Sequence, residues 1–290
     1  MTATSTGPGT TGVDDPALDN PSWSALTGAH AHLAEGDDLA RRYPADVSPI
    51  TGVRSWTDPG VWDAIAALVG PGGHFSAPPV GVEPPQGWTV EARVEGVQLV
   101  ETERLVTRPD PEAVVLGADD VPEMLALVER SRPGPFEART YLLGRYVGFR
   151  DDDGRLVAMA GERLRPAGWT EISAVTTDPD HRGRGLASRL VRDVAFHVQE
   201  RGDRAFLHAA AQNVGAIGVY ERLGFALRHR PTFGSLRAPD CRPRRRAPRH
   251  GPAPRPGSGP DARRPRASPR SPRRAAGRGA GPRRRARRAG

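Results

Sequence analysis

Apolar and polar residues alternate along the chain in blocks that predict an ordered series of strands and helices after residue 112. AVVLG predicts a short buried strand, and DDVPEMLALVER predicts an amphipathic helix with acidic residues in its first turn, where the helix dipole favours them. GRYVGFR and GRLVAMAGERL flank DDDG, which is typical of a hairpin turn. The residues after this hairpin continue the alternation of strands and helices. TEISAVTT predicts a strand, residues 183–201 a helix and RAFLHAA a strand. NVGAIGVYERLGF predicts a helix, and the residues that follow it predict a final strand. This order indicates an α/β fold with a mixed central sheet.

The pattern before residue 110 is less regular. VWDAIAALVG predicts a short helix that ends at Gly70, and the alternation within Trp88–Val100 predicts a strand. Clusters of Pro and Gly separate these pieces. We therefore predict a disordered leader at residues 1–20 and an α+β N-terminal extension, or subdomain, at 21–110.

The pattern ends near Asp240. Residues 241–290 contain no Leu, Ile, Val, Phe, Tyr or Trp, so they cannot bury enough apolar surface to offset their conformational entropy. We predict a disordered Arg/Pro-rich tail at 239–290 and a folded α/β domain at 111–238.

The net charge of +8 is the sum of two opposite parts. From Cys241 onward the chain has 18 arginines and one acid, so residues 1–240 keep 24 of the 42 basic and 33 of the 34 acidic side chains. The body is thus acidic, and the average charge does not indicate a nucleic-acid-binding surface on it.

Two hypotheses account for the basic tail. It is either a polybasic arm that binds nucleic acid or anionic surfaces without sequence specificity, or the product of a reading-frame slip near residues 236–241 in a GC-rich gene. GC-rich codons encode mainly Arg, Pro, Ala and Gly, and the chain has no lysine, which favours the slip.

Residue counts indicate the cellular context and the absence of a metal site. No apolar run approaches the ~18 residues of a membrane helix, and the N-terminus lacks the apolar core of a signal peptide. A single cysteine excludes an internal disulfide and favours a cytoplasmic location. The eight histidines lack metal-ligand spacing, so we expect no metal.

The stretch DPDHRGRGLASRL carries the strongest chemical signal. It follows a strand, and Gly183 and Gly185 stand where a helix begins. Glycines let backbone N–H groups approach a ligand, and the first N–H groups of a helix have no partner within it. With Arg182 and Arg184 nearby, this arrangement could hold a pyrophosphate.

Two other interpretations of this stretch are open. A basic helix start with solvated arginines explains the loop without any ligand. A dinucleotide-binding turn requires G-x-G-x-x-G early in a βαβ unit, and here Ser188 replaces the third glycine and the turn comes late in the chain.

At this loop the sequence resembles a known family. RGRGLA, residues 182–187, matches the Q/R-x-x-G-x-G/A loop of the GNAT superfamily, the Gcn5-related N-acetyltransferases. NVGAIGVYERLGF resembles the N-x-x-A-x-x-x-Y-x-x-x-G-F signature of the same family. The resemblance covers about residues 112–238 and leaves the N-terminal third and the tail outside.

The resemblance implies an acetyl-CoA site. The loop would hold the pyrophosphate, and the preceding strand would bind the pantetheine arm, with a backbone N–H, that of Val175, polarising the thioester carbonyl. Asn213 would contact the cofactor, and Tyr220 would protonate the departing thiolate. The implied cofactor-binding residues are Val175, Thr176, Thr177, Arg182, Gly183, Arg184, Gly185, Leu186, Ala187, Ser188 and Asn213.

An amine acceptor must lose a proton before it attacks, so the reaction needs a base. Glu171 stands where histone-type members of the family place a glutamate, and His208 stands where the ribosomal-protein N-terminal acetyltransferases place theirs. Either residue could instead be structural, as a solvated strand-end acid or a packed strand histidine. The sequence leaves the choice between them open.

These patterns predict an N-acyltransferase that moves an acetyl group from acetyl-CoA directly to a primary amine. The alternative is a non-catalytic module that senses acyl-CoA or binds nucleic acid through its tail. We expect no membrane partner, and the acceptor and oligomeric state cannot be derived. Residues 21–110 lack a second phosphate loop, and one hypothesis is that they cover one end of the sheet and shape the acceptor pocket.

Overall fold

The computed structural model describes residues 14–132 and 134–240, which belong to one compact unit. The predicted tail at 239–290 lies outside the described residues from residue 241 onward, and the predicted leader lies outside them up to residue 13. The end of that leader is nevertheless ordered. Pro16–Asp19 forms a helix whose N-cap, Asp15, accepts a hydrogen bond from the Ala17 N–H at 2.9 Å, so the prediction of disorder was wrong for these residues.

Six helices and twelve strands make up the described chain, together with short 3-10 turns. The helices are α1 (Pro16–Asp19), α2 (Pro21–Thr27), α3 (Val61–Val69), α4 (Val121–Ser131), α5 (Leu186–Glu200) and α6 (Val214–Leu223). The strands are β1 (Glu35–Gly36), β2 (Ala40–Arg42), β3 (Thr51–Val53), β4 (His74–Ser76), β5 (Thr89–Glu101), β6 (Val114–Leu116), β7 (Tyr146–Arg150), β8 (Leu156–Glu162), β9 (Trp169–Thr177), β10 (Arg204–Ala210), β11 (Phe225–His229) and β12 (Thr232–Arg237).

A mixed sheet with the strand order β4-β12-β5-β10-β9-β8-β7-β6 forms the centre of the molecule. Strand β11 also pairs with β5, and β9 and β10 are the one parallel pair among the described strands. The prediction of an α/β fold with a mixed central sheet is therefore confirmed. The predicted helix at 183–201 starts late, at Leu186, because Gly183 and Gly185 have positive φ and cannot belong to a right-handed helix.

Each face of the large sheet is covered by different elements. Side chains alternate along a strand, so Leu99 and Leu207 point to the face covered by α5 and α6. Val100 and Phe206 point to the opposite face. There they pack against helix α2, including Leu26, in what we call the N-terminal segment, the described residues up to 110. Helix α4 packs on the same face as α2, where it covers β8 and β9. Between the two layers β7, β8 and the second half of β5 are buried, whereas the first half of β5 is largely exposed.

The N-terminal segment contributes directly to the sheet. Strand β5, which the sequence assigned to the extension at 21–110, lies between β10 on one side and β11 and β12 on the other. Strands β1–β3 form a small antiparallel sheet next to α3, and Ile65 and Phe75 fill a separate apolar cluster there. The division at residue 110 thus separates β5 from the strands with which it pairs.

No helix within the described ranges 14–132 and 134–240 combines the length and apolar character needed to cross a membrane.

We expect the substitution Leu99→Ala to destabilise the protein by about 2–5 kcal/mol, because it leaves a cavity between β5 and the helical layer. Leu99 is fully buried, whereas Val106 is 68% exposed and serves as the control through Val106→Ala. Urea unfolding followed by circular dichroism measures both. A Leu99→Ala protein as stable as the control would contradict this description of the core.

Candidate functional site

The turn between β9 and α5 has the geometry of an anion-binding loop. Gly183 and Gly185 have φ of +77° and +75°, a region that other residues enter only with strain. Gly185 is the N-cap of α5, so the first N–H groups of the helix, those of Leu186, Ala187 and Ser188, have no partner within it. Arg182 and Arg184 are exposed, with no carboxylate partner in the part of the chain that the structure describes. We call residues 182–188 the phosphate loop, after the ligand that the sequence resemblance implies for it.

Asp178 anchors the start of this turn, a role that the sequence did not indicate. The residue is 1% exposed, and its carboxylate accepts hydrogen bonds from Arg130 at 2.8 Å, from Arg155 at 2.7 Å and from the Asp180 N–H at 3.2 Å. Burial alone would raise the pKa of Asp178, but these donors outweigh it and lower that pKa. The loop is therefore tied to α4 and β8.

The third arginine of the stretch does not belong to the anion site. Arg189 makes two hydrogen bonds of 2.7 Å to Asp110, and its guanidinium lies 4.3 Å from the centre of the Phe149 ring. It holds α5 to the segment before β6.

Strands β9 and β10 diverge next to the phosphate loop. They pair only from Trp169 to Glu171 on β9, so the edge of β9 that faces β10 is unpaired from Ile172 on. The pairing of β9 with β8 shifts by one residue beside Ala174, which has a φ of +52°. This bulge bends β9 away from β10. A V-shaped opening results, and Val175, Thr176 and Thr177 lie on its β9 side.

Glu171 and His208 lie where the two strands separate. The Glu171 side chain is fully buried, and its carboxylate accepts two hydrogen bonds from Arg163, one of them at 2.9 Å, and one from His208 Nδ1 at 2.7 Å. Burial alone would raise the pKa of Glu171, but Arg163 and His208 lower it to about 2. The structure thus places the two candidate bases in hydrogen-bond contact. The Glu171 carboxylate already accepts three hydrogen bonds, two from Arg163 and one from His208.

Gln98, which the sequence did not single out, determines which nitrogen of His208 carries the proton. Gln98 Oε1 accepts from Arg228 at 2.9 Å, so its amide NH₂ points to the Leu18 carbonyl at 2.9 Å and to His208 Nε2 at 3.2 Å. An amide NH₂ only donates, so His208 Nε2 accepts and the imidazole proton lies on Nδ1, facing Glu171. This tautomer keeps the lone pair of a neutral histidine on Nε2.

Tyr220 and Asn213 belong to α6, on the other side of the opening. Tyr220 is 8% exposed, borders the cleft, and burial raises the pKa of its phenol to about 12, so the hydroxyl keeps its proton at neutral pH. Asn213 Oδ1 accepts a hydrogen bond from the Ala216 N–H at 3.2 Å and so caps the helix.

One cleft of about 1710 Å³ connects these features. The phosphate loop, the diverging strands, His208 and Tyr220 line one part of it. Residues of the N-terminal segment and of the β11–β12 turn line the rest, among them Tyr43, Ser48, Thr51, Phe75 and Phe233. In residues 14–132 and 134–240 no group of three His, Cys, Asp or Glu side chains is placed to hold a metal ion.

We expect Glu171 to make stability depend on acid pH. Its folded-state pKa lies far below its ordinary value, so its stabilising effect is present above about pH 4.5 and is lost as the pH falls toward 2. The difference in free energy of unfolding between wild type and Glu171→Gln should therefore shrink between pH 5 and pH 2, as measured by urea unfolding. Glu103→Gln, at an exposed position, is the control, and a Glu171→Gln difference that does not change with pH would contradict the assignment.

Comparisons with known proteins identify the family to which the chain belongs. The sequence model of the FR47-like protein family matches residues 146–233, which span β7 to the first residues of β12. Mycothiol acetyltransferase of Saccharomonospora viridis is 32% identical over 155 residues, which are 48% of this chain and 49% of that protein. An uncharacterised N-acetyltransferase of Methanocaldococcus jannaschii is 41% identical over 100 residues, 34% of this chain and 42% of that one. The chain thus spans half or less of the length of these curated relatives.

Solved structures extend the likeness to most of the described chain. A GCN5-related N-acetyltransferase of Kribbella flavida shares the fold, with 20% identity, a TM-score of 0.50 and coverage of 74% of this chain and 93% of that one. A GNAT-family protein of Novosphingobium aromaticivorans is 38% identical with a TM-score of 0.69, over 77% of this chain and 98% of the other. Because that identity extends over nearly the whole of the Novosphingobium chain, the resemblance expected from the two sequence motifs is confirmed, and the protein belongs to the GNAT family of acetyltransferases.

Proposed function

We propose that the protein transfers an acetyl group from acetyl-CoA to a primary amine. One observation carries this proposal. The phosphate loop and the opening between β9 and β10 lead into the same cleft as His208 and Tyr220, the two groups that could move the protons of such a transfer.

The cleft would take acetyl-CoA along the unpaired edge of β9. The pyrophosphate would lie on the N–H groups of residues 182–188, with Arg182 and Arg184 beside it. The pantetheine arm would hydrogen-bond to the backbone at Val175–Thr177, and the Val175 N–H would polarise the thioester carbonyl. Asn213 would border the cofactor from α6.

His208 is the better candidate for the base. A carboxylate with a pKa of about 2, held by Arg163, has little tendency to accept a proton. His208 borders the cleft and has its lone pair on Nε2, although an incoming amine must displace the 3.2 Å hydrogen bond from Gln98. Glu171 then acts as a positioning residue, which orients the imidazole through the hydrogen bond to Nδ1.

The proton and electron balance of the transfer is simple. The acceptor ammonium gives one proton to His208, and the nitrogen lone pair then forms the C–N bond with the thioester carbon. The C–S bond breaks with its electron pair on sulfur, and Tyr220 gives its proton to the thiolate. The amide nitrogen loses its second proton, which restores Tyr220, and His208 releases its proton to solvent.

The identity of the acceptor does not follow from the relatives. Several are named mycothiol acetyltransferases, but their similarity to this chain covers half of their length or less. The part of the cleft opposite the phosphate loop is formed by this chain's own N-terminal segment and β12.

Glutamates in the phosphate loop should abolish cofactor binding. We expect isothermal titration of acetyl-CoA into the full chain to give micromolar binding, lost in Gly183→Glu/Gly185→Glu because two carboxylates replace the anion site. Gly168→Glu/Gly202→Glu is a matched control, because both glycines also have positive φ, have open space around them and lie away from the cleft. Equal loss in both double variants would point to backbone strain and contradict the phosphate loop.

Removing the proposed base should slow transfer at neutral pH. We expect His208→Ala to lower kcat/KM by about 10²–10⁴-fold at neutral pH, measured as CoA release with a panel of amines. The exposed His32 provides the control through His32→Ala. Acetyl-CoA binding without CoA release for any amine would favour the alternative, an acyl-CoA-sensing module.

A further inference from the structure

The charge on the wall of the cleft is strongly unbalanced. Among the described residues that line it, Asp19 is the one carboxylate. Seven guanidinium groups line the same wall, those of Arg42, Arg132, Arg163, Arg182, Arg184, Arg222 and Arg230.

Asp19 on this wall and Glu171 behind it each have an arginine partner. Asp19 accepts a hydrogen bond of 2.6 Å from Arg228. Glu171, behind the wall, is held by Arg163 and His208. Asp19, whose side chain is 60% exposed, is therefore the one acid on the described wall that could receive a second ammonium group, and a polycationic acceptor would meet an excess of positive charge in the cleft.

The arginines divide into three groups. Arg163 is paired with Glu171, and Arg42 with Glu35 at 2.9 Å. Arg182, Arg184 and Arg222 lie on the phosphate loop and on α6, next to the proposed cofactor, whose phosphates account for them. Arg132 and Arg230 remain, and neither has a carboxylate partner among the residues that the structure describes.

Arg132 and Arg230 lie outside the phosphate loop, and their backbones are held in place. Arg132 ends α4 with a left-handed φ of 49° and is followed in the wall by Gly134 and Pro135. Arg230 lies in the turn between β11 and β12, where the Gly96 N–H donates to the Pro231 carbonyl at 2.8 Å. In the same region Phe233 contacts the ring of His208, with 5.5 Å between ring centres. Arg132 and Arg230 are both exposed, so the wall offers accessible positive charge beyond the charge that the cofactor requires.

We infer that the acceptor is a primary amine that also carries a negative group, a carboxylate or a phosphate, and not a polyamine or another polycation. The inference rests on the proposed acetyl transfer to an amine and adds the charge class of the substrate. The anionic group would pair with Arg132 or with Arg230, while the amine faces the thioester near His208.

Matched acceptors of different charge test the inference. CoA release by the full chain is measured with O-phosphoethanolamine, β-alanine, ethanolamine and putrescine at saturating acetyl-CoA. We expect the two amines that carry an anionic group, O-phosphoethanolamine and β-alanine, to have a kcat/KM about tenfold or more above that of ethanolamine, mainly through a lower KM. Putrescine should be the poorest acceptor. Added salt should reduce the difference in kcat/KM between these acceptors, because it screens the attraction between the arginines and the anionic group.

Two variants test whether Arg132 and Arg230 supply the positive charge that the acceptor meets. Arg132→Gln/Arg230→Gln should bring kcat/KM for O-phosphoethanolamine and β-alanine down toward the value for ethanolamine. Arg104→Gln, at an exposed position away from the cleft, should keep the preference. A preference that survives the double variant would overturn the role of these two arginines.

The outcomes separate this inference from the proposed function. Transfer to putrescine or ethanolamine as efficient as to the anionic amines would overturn the inference and leave acetyl transfer intact. If no amine is acetylated, the proposed function fails, and binding of O-phosphoethanolamine and ethanolamine to the protein–acetyl-CoA complex is compared by NMR titration. Tighter binding of the anionic amine would then support the charge class, and equal or absent binding would overturn it.

Discussion

The separation of β9 and β10 is the constraint on which the rest of the site depends. Two neighbouring parallel strands normally continue to pair, which leaves no room between them. Here the pairing ends at Glu171, and the left-handed Ala174 bends β9 away. The unpaired backbone edge, the cleft and the approach to His208 all follow from this divergence. A buried carboxylate at its origin is stable there because Arg163 compensates its charge and His208 donates a further hydrogen bond to it.

Local sequence patterns predicted the elements of the domain and the phosphate loop, because both depend on short-range physics. Two glycines that need positive φ, a helix start and the preceding strand lie within a few residues of one another, so their spacing is visible in the chain. The hairpin turn at DDDG and the helix closed by Gly224 were predictable for the same reason.

The polar network around His208 could not be predicted, because its members come from distant parts of the chain. Gln98 and His208 are 110 residues apart, and their contact depends on β5 pairing with β10. Asp178 could be located in the sequence, but its arginine partners lie on α4 and at the start of β8, 48 and 23 residues away. The sequence therefore left two candidate bases open, and only the tertiary contacts distinguish a charge-paired glutamate from a histidine with a lone pair at the cleft.

The central position of β5 also sets the order in which the protein can fold during synthesis. Residues 89–101 leave the ribosome long before their partners in β10, β11 and β12, which end at residue 237. Until then the strand exposes both edges and its apolar residues, a condition that favours aggregation and slow folding through distant contacts. Chaperone demand and sensitivity to translation rate should consequently depend on this one strand more than on the local hairpin that follows it.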